Sequence, residues 1–542
     1  MMPLFIPILI LVLGALVLPL LGAVPRMRGL CMVAVGVAGL ALAALVYLGT
    51  LLPLEGVASL WRPQAVFGAP LAFEAEASNW GLASVLVATT FLSLLACYVS
   101  AERPTTASMA LILMETACGV AALFATSFAA LIVAWGATDV VLSLALLRHG
   151  PKGVRRAGLA LFSGTLATGA LWAAPLLTQA EGISGFLELA HFSGSSADLL
   201  QIAVILRLGL VPLHLWRPID LETEPAQLIP LVVIPTLLGF DLLTHLPALT
   251  AGLPSILFAL AGVTALVGGF VAWSETEERL SLAGVMVAQT GLAVLAVANA
   301  GQQAVAIAVA AAIAWALGIT VFALPPGWSG RYFWRGLPSF LALLSLAGLP
   351  ATLGFVARFV AYSGLEADLL ALGVALLGEI FVVAAMVRLW FWAEPRPLPA
   401  RLPLEVIYLL SFVPAVVALF WTGLSPDLFA GRGQDAALPP LGDLIRQGGV
   451  AGWAGWALPV VAGVMLFVVG EGLRQRMEGG WRGLGGLLRL EWVYGLFYLL
   501  LRQVGRVLRG VSGVVEGEGA LLWTLVILLI LLLYLTGGGL AG

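Results

Sequence analysis

Nine ionisable side chains interrupt long apolar runs of the sequence: Glu115, Asp139, Arg207, His214, Asp241, His245, Arg358, Glu379 and Arg388. Carboxyls and imidazoles exchange protons, whereas a guanidinium keeps its proton up to a pKa above ~12 and acts as a standing positive charge. An ionisable group at the centre of a bilayer costs on the order of 3 kcal/mol, so each needs a partner or a task. Asp241 and His245 are four residues apart, a spacing that lets them meet on one helix face. Arg388 and His245 stand near the ends of their runs, where a long side chain can reach the interface. Arg207, Arg358 and Asp139 stand deeper and require partners.

Two of the arginines accompany Gly/Pro interruptions. "RLGLVP" (Arg207–Pro212) carries Gly209 and Pro212, and "LAGLPATLGFVAR" (Leu346–Arg358) carries Gly348, Pro350 and Gly354. A broken membrane helix frees backbone groups that polar side chains and water must satisfy. A pair of interrupted segments at corresponding places of two halves points to an ion or substrate pathway.

The elements that position these groups are membrane helices. Of 542 residues, 61% are apolar and 10% charged, against about 25% charged in soluble domains. Mean hydropathy is +1.06. A net charge of -3 without a basic tail gives no sign of nucleic-acid binding, and no nucleic acid is expected as a partner. Cys31, Cys97 and Cys118 lie in apolar runs without CxxC spacing and read as small buried hydrophobes, not disulfides or metal ligands. With no nucleotide, flavin or cluster motif, no cofactor, metal or redox centre is expected in this chain.

A span needs about 20 apolar residues. Sixteen runs qualify, near 3–24, 30–53, 80–100, 106–124, 126–148, 156–178, 197–216, 227–248, 253–273, 280–300, 302–324, 337–362, 367–393, 404–423, 453–471 and 519–537. The expected fold is all-α and polytopic, and Pro3–Leu21 reads as a retained first helix. With both termini outside, the cytoplasmic loops hold twenty Lys and Arg, including Lys152, Arg217 and the seven arginines from Arg474 to Arg509. The opposite loops hold only Arg62, Arg432 and Arg446. That asymmetry supports the count and a prokaryotic cytoplasmic membrane with both ends outward.

The expected organisation is three helices over 1–105, then five-helix repeats over 106–248 and 253–393, one inverted relative to the other. Their seventh and twelfth helices are the broken ones. Two further helices occupy 404–471, an amphipathic helix on the cytoplasmic surface 473–516, and an anchor helix 519–542. Arg502, Arg506 and Arg509 fall on one face of the amphipathic stretch. It reaches about 65 Å at most at 1.5 Å per residue, and glycines at 479–480 and 485–486 are expected to break it.

These motifs resemble a family. "LSLAGLPATLGFVARF" (Leu344–Phe359) resembles a segment of the antiporter-like membrane subunits of respiratory complex I. That superfamily includes the Mrp cation/proton antiporters, the membrane arms of energy-converting hydrogenases and inorganic-carbon uptake subunits. "RLGLVPLHLWRP" (Arg207–Pro218), "LIVAWGATDVVLSLAL" (Leu131–Leu146) and, more loosely, "EERLSLAGVMVAQTG" (Glu277–Gly291) match other family motifs in order. Helix count resembles most the distal, largest of these subunits.

The resemblance implies a fifth-helix glutamate paired with a seventh-helix lysine, and further lysines or histidines that relay protons. In this chain the glutamate position is Gly136, with Asp139 one turn along. Arg207 and Arg358 stand in the seventh- and twelfth-helix places, Ile234 and Trp315 in those of the eighth and eleventh. The one lysine of the chain, Lys152, falls in a loop. Three readings follow. In the first, a subunit of a complex-I-like assembly moves protons through Asp139, His214, Asp241, His245, Glu379, Glu115 and water, with Arg207 and Arg358 as fixed charges, Arg207 being paired with Asp139. In the second, a non-pumping homologue holds partner subunits. In the third, the chain is a secondary transporter subunit for a cation or small anion. The implied partners are other membrane subunits, the lipid bilayer, and protons or small ions.

Overall fold

In the computed structural model the described residues are 2–23, 29–58, 71–100, 104–179, 195–217, 224–246, 255–325, 333–366, 368–392, 402–426, 438, 440–447, 449–476, 478–488, 491–516 and 525–526. The chain divides into two units, Met1–Leu488 and Arg489–Gly542.

The first unit runs α1 (Met2–Gly22), α2 (Leu30–Gly49), strands β1 (Leu54–Ala58) and β2 (Leu71–Ala75), α3 (Ala77–Val99), α4 (Thr106–Leu123), α5 (Phe128–Leu147) and α6 (Gly150–Gln179). Then come α7 (Ser195–Leu208), a 3-10 turn at His214–Trp216, α8 (Pro225–Thr244), α9 (Ser255–Ser274), α10 (Glu278–Ala298) and α11 (Ala304–Ala323). Next are α12 (Leu337–Leu346), α13 (Leu353–Gly364), α14 (Leu369–Trp392), α15 (Leu402–Leu410) and α16 (Val413–Leu424). It closes with α17 (Leu441–Gln447), α18 (Gly449–Arg476) and α19 (Glu478–Leu488).

Thirteen helices are long and apolar enough to cross a membrane among the described residues. The expected seventh and twelfth spans are absent from that set for a physical reason: each is cut into short pieces, α7 with its 3-10 turn, and α12 with α13. The expected span 519–537 lies outside the described residues except for 525–526.

The all-α bundle also carries one short hairpin. In it β1 and β2 pair antiparallel, with Leu54 opposite Ala75 and Ala58 opposite Leu71. The outer edge of β2 is satisfied by the α4–α5 turn, where Glu74 N donates to Phe124 O at 2.7 Å and Thr126 N to Ala72 O at 3.0 Å.

Helices that are apolar on every face belong in the middle of a bundle. The apolar stretches of α10 and α11 are 94% buried and that of α8 89%, against 33% for α1 and α2. α9, α10 and α14 approach through glycine. A Cβ on Gly268 would lie 2.6 Å from the Ala288 nitrogen, and one on Gly269 would overlap the Gly378 carbonyl. Close backbone approach through small residues is the usual way membrane helices gain packing contacts.

The amphipathic region also departs from expectation. α18 continues to Arg476, and α19 passes through the glycines at 479–480 and 485–486 without a break. Trp481 of α19 packs on Phe270 and Trp273 of α9, with ring centroids 5.7 and 5.6 Å apart. The second unit contains α20 (Glu491–Glu516), about 39 Å long at 1.5 Å per residue, with Arg502, Arg506 and Arg509 exposed.

Candidate functional site

Asp139 of α5 and Arg207 in the last turn of α7 form a buried ion pair. Arg207 Nη1 donates to Asp139 Oδ1, and Nη2 donates to Oδ2 at 3.2 Å. Thr168 of α6 donates to the same Oδ2 at 3.2 Å. The guanidinium lies 4.1 Å from the ring centre of Trp135, one turn before Asp139. Two-pronged pairing plus the aromatic face orients the cation toward Asp139 in this structure. A Cβ on Gly164 of α6 would overlap the Asp139 carboxyl, so glycine provides the room for it. At Gly136 a Cβ would meet nothing within 4 Å. The acid that binds the cation is therefore one helical turn beyond the position the resemblance implies.

A second pair stands in the other half. Arg358 of α13 donates Nε–H to Glu379 Oε1 of α14 at 2.7 Å. Its Nη2 donates to Gln289 Oε1 of α10, and to the Leu346 carbonyl at 3.0 Å. Gln289 Nε2 donates to that carbonyl as well, at 3.1 Å.

Both helix breaks are the same motif. α7 ends with Leu210 N donating to Ile205 O at 3.3 Å and Gly209 N to Leu206 O at 3.2 Å. α12 ends with Leu349 N donating to Leu344 O at 2.8 Å and Gly348 N to Ser345 O at 3.0 Å. This is the Schellman pairing, which needs a left-handed residue after the helix. Gly209 has φ 59° and Gly348 φ 71°. Pro212 and Pro350 follow within the turns and cannot continue the helix. Gly354 is a correction: it lies inside the first turn of α13, and a Cβ there would overlap the Ser345 carbonyl. It serves a close approach, not the break.

Arg217 is the residue that charge counting misplaced. Assigned to a loop by its position after the seventh run, it is 1% exposed. Its Nη2 donates to the Leu208 carbonyl at 2.5 Å, to Thr290 Oγ1 of α10 at 3.1 Å and to Thr236 Oγ1 of α8 at 3.5 Å. Arg217 thus stands to the first break as Arg358 stands to the second. Each reaches back past the Schellman glycine to a carbonyl at the end of the severed half-helix. Gly209 precedes Arg217 by eight residues and Gly348 precedes Arg358 by ten, a spacing that could have flagged it.

The remaining candidates fall in different places. Glu115 of α4 is fully buried, within electrostatic reach of Asp139 and Arg207. His214 is buried in the 3-10 turn, within reach of Arg217 and Arg156. Asp241 is buried on α8, while His245 caps that helix half-buried, and no hydrogen bond or ion pair joins the two among the described residues. Arg388 does not reach for the interface. It is buried on α14 and donates to the carbonyls of Trp273 and Ala272 at 2.7 and 2.9 Å, tying down the end of α9. Lys152, expected in a loop, lies in the first turn of α6.

Two small cavities adjoin the pairs. One, of about 10 Å³, is lined by Asp139, Arg207, Ser163 and Trp216. The other, of about 20 Å³, is lined by Arg358, Gln289, Ser345 and Trp315. Each offers room for roughly one water with polar partners.

Two broken helices, each tied at its break by a buried arginine, stand inside a many-span bundle, and the sequence relatives of the chain are antiporter-like membrane subunits. The chain belongs to that superfamily. It is 26% identical over 274 residues to NADH-quinone oxidoreductase subunit N of Heliobacterium modesticaldum, covering 43% of this chain and 57% of the relative. It is 30% identical over 251 residues to the same subunit of Ectopseudomonas mendocina, covering 40% and 49%. F(420)H(2) dehydrogenase subunit N of Methanosarcina mazei is 24% identical over 322 residues, covering 52% and 63%. The chain thus spans about half to two-thirds of the length of these relatives. No family model matches. In fold it is similar to a chain of the Mrp complex from Dietzia sp. DQ12-45-1b, with TM-score 0.72, 17% identity, and coverage of 99% of this chain and 63% of that one. A chain of the archaeal membrane-bound sulfane sulfur reductase gives TM-score 0.68 at 17% identity, covering 98% and 100%. A chain of Thermus thermophilus respiratory complex I gives 0.58 at 22%, covering 78% and 97%.

Proposed function

We propose that the chain is a membrane subunit of a multi-subunit assembly related to complex I, and that it moves protons across the bilayer through its buried polar axis. The observation that carries this is the convergence on α10: Arg217 and Arg358, one from each break, bond to the adjacent residues Thr290 and Gln289. In this reading the path runs from Asp139–Arg207 past the two adjacent docking residues of α10 to Arg358–Glu379. The arginines keep their charge throughout, so they set the field while carboxyls and water carry protons. This reading places both termini outside a prokaryotic cytoplasmic membrane with sixteen spans, and organises 106–248 and 253–393 as inverted repeats. Asp241, His214 and His245 stand beside the axis in this reading, as candidate entry or exit groups.

Proton flux into sealed vesicles carrying the assembly tests it. Asp139→Asn and Arg207→Ala should each lower flux at least tenfold. Unchanged flux in both variants means the chain conducts nothing. One observation favours the second reading, a non-pumping brace for partner subunits: each cavity beside an ion pair has room for only about one water. The same assay separates the two.

A further inference from the structure

Glu115 lies in the middle of α4, and neither of its carboxyl oxygens has a hydrogen-bond partner among the described residues. The charges that act on it are Asp139 of α5 and Arg207 of α7. The Cys118 thiol, one turn along α4, is also within its reach. α1, α2 and α3 pack against α4 as well and carry no Asp, Glu, Lys, Arg or His within the helix, and α8 carries only Asp241. Arg207 gives both terminal nitrogens to Asp139, while its Nε–H has no partner among the described residues. Two buried carboxyls therefore lie within electrostatic range of one buried guanidinium, which is paired with only one of them.

The positive charge is permanent. Two ionised carboxyls against it would leave a net negative charge in an apolar interior, at an effective cost of several kcal/mol. Like charges sharing a site force one of them to keep its proton. We propose that Glu115 and Asp139 share Arg207 and hold one proton between them, so that a carboxyl, not the cation, gains and loses a proton in this half of the site. In the structure Arg207 is paired with Asp139 and not with Glu115, the arrangement that the proposal assigns to a proton held on Glu115. In the exchange, the O–H bond on Glu115 breaks and one forms on Asp139, either directly or through a water, while Arg207 turns its N–H groups toward Glu115. The summed charge of the three groups stays constant, so the step moves no net charge into lipid. The inference deepens the transport reading and rests on it for its purpose, but its test is independent of flux.

The experiment is infrared difference spectroscopy on the full chain in lipid nanodiscs, in the carbonyl region of protonated carboxylic acids. Glu115→Gln should lose one such band relative to the unmodified protein, and Glu115→Asp should restore it. Asp139→Asn should lose the band too, because Glu115 then ionises as the sole counter-charge of Arg207. Arg207→Gln, which leaves two carboxyls and no cation, should double the band. An unchanged band in Glu115→Gln, or a band retained in Asp139→Asn, overturns the shared proton. If Asp139→Asn does not fold, Arg207→Gln decides: an unchanged band area overturns it equally. Absent flux with these band changes intact would count against the transport reading alone.

Discussion

Arg217 and Arg358 dock on consecutive residues of α10, Thr290 and Gln289, at 3.1 Å for the Thr290 contact. Each also donates to a carbonyl at the end of a broken half-helix, Leu208 or Leu346. The two halves of the bundle thus use one device twice and fasten both copies to the same central helix.

Arg217→Met should therefore behave as a core change and not as a loop change. It strips the donor from the Leu208 carbonyl, and a buried acceptor left unsatisfied costs about 1–3 kcal/mol. Thermal unfolding of the detergent-solubilised chain should show a clearly lowered midpoint. Arg446→Met, whose side chain is 84% exposed, should leave the midpoint where it was.

Gly209→Ala and Gly348→Ala should each destabilise by about 1–2 kcal/mol, since an L side chain resists left-handed backbone. Crowding adds to this, because the new Cβ lies 3.0 Å from Arg217 Nε in the first case and 2.9 Å from Arg358 Cγ in the second. Gly136→Ala is the contrast: it sits inside α5 with open space around it and should be neutral or stabilising by up to about 1 kcal/mol. Equal effects at all three positions would remove the case for two Schellman breaks.

Gly164→Ala should disturb the first ion pair without touching either member. Its methyl overlaps the Asp139 carboxyl, and overpacking of this kind costs about 1–3 kcal/mol. Proton flux should fall with it, and the neighbouring Gly158→Ala, where a Cβ meets nothing, supplies the control for both measurements.

The hairpin gives a pH dependence outside the membrane. Burial, then the carboxyls of Glu76 and Glu55, raise the Glu74 pKa above its ordinary value. A raised carboxyl favours the folded state while protonated, and that gain is lost as pH rises through the folded-state pKa. Glu74→Gln should raise the melting midpoint at neutral pH, and the difference should disappear in acid. A difference that grows in acid contradicts the assignment.

Much of the fold was legible because long apolar runs and Gly/Pro breaks are strong local signals. Asp139 and Arg207 were also legible as a pair, since two deep opposite charges in lipid must find each other. Arg217 was not, because a charge at the end of a run looks the same whether it faces water or folds back under the break. Arg388 escaped for a like reason, its carbonyl partners lying on α9, more than a hundred residues earlier in the chain. The hairpin was hidden because five-residue strands in an apolar, proline-bearing link show no clear alternation.

The most direct measurement of the central claim is proton flux in vesicles carrying the assembly with Glu379→Gln, a change in the ion pair that does not contain Asp139. Glu379 is buried, and one of its oxygens has no hydrogen-bond partner among the described residues. If both ion pairs belong to one path through α10, the variant should lose flux at least tenfold, as Asp139→Asn does, and the double variant should lose no more than either alone. Flux at the unmodified level in Glu379→Gln would contradict a single path through the two halves.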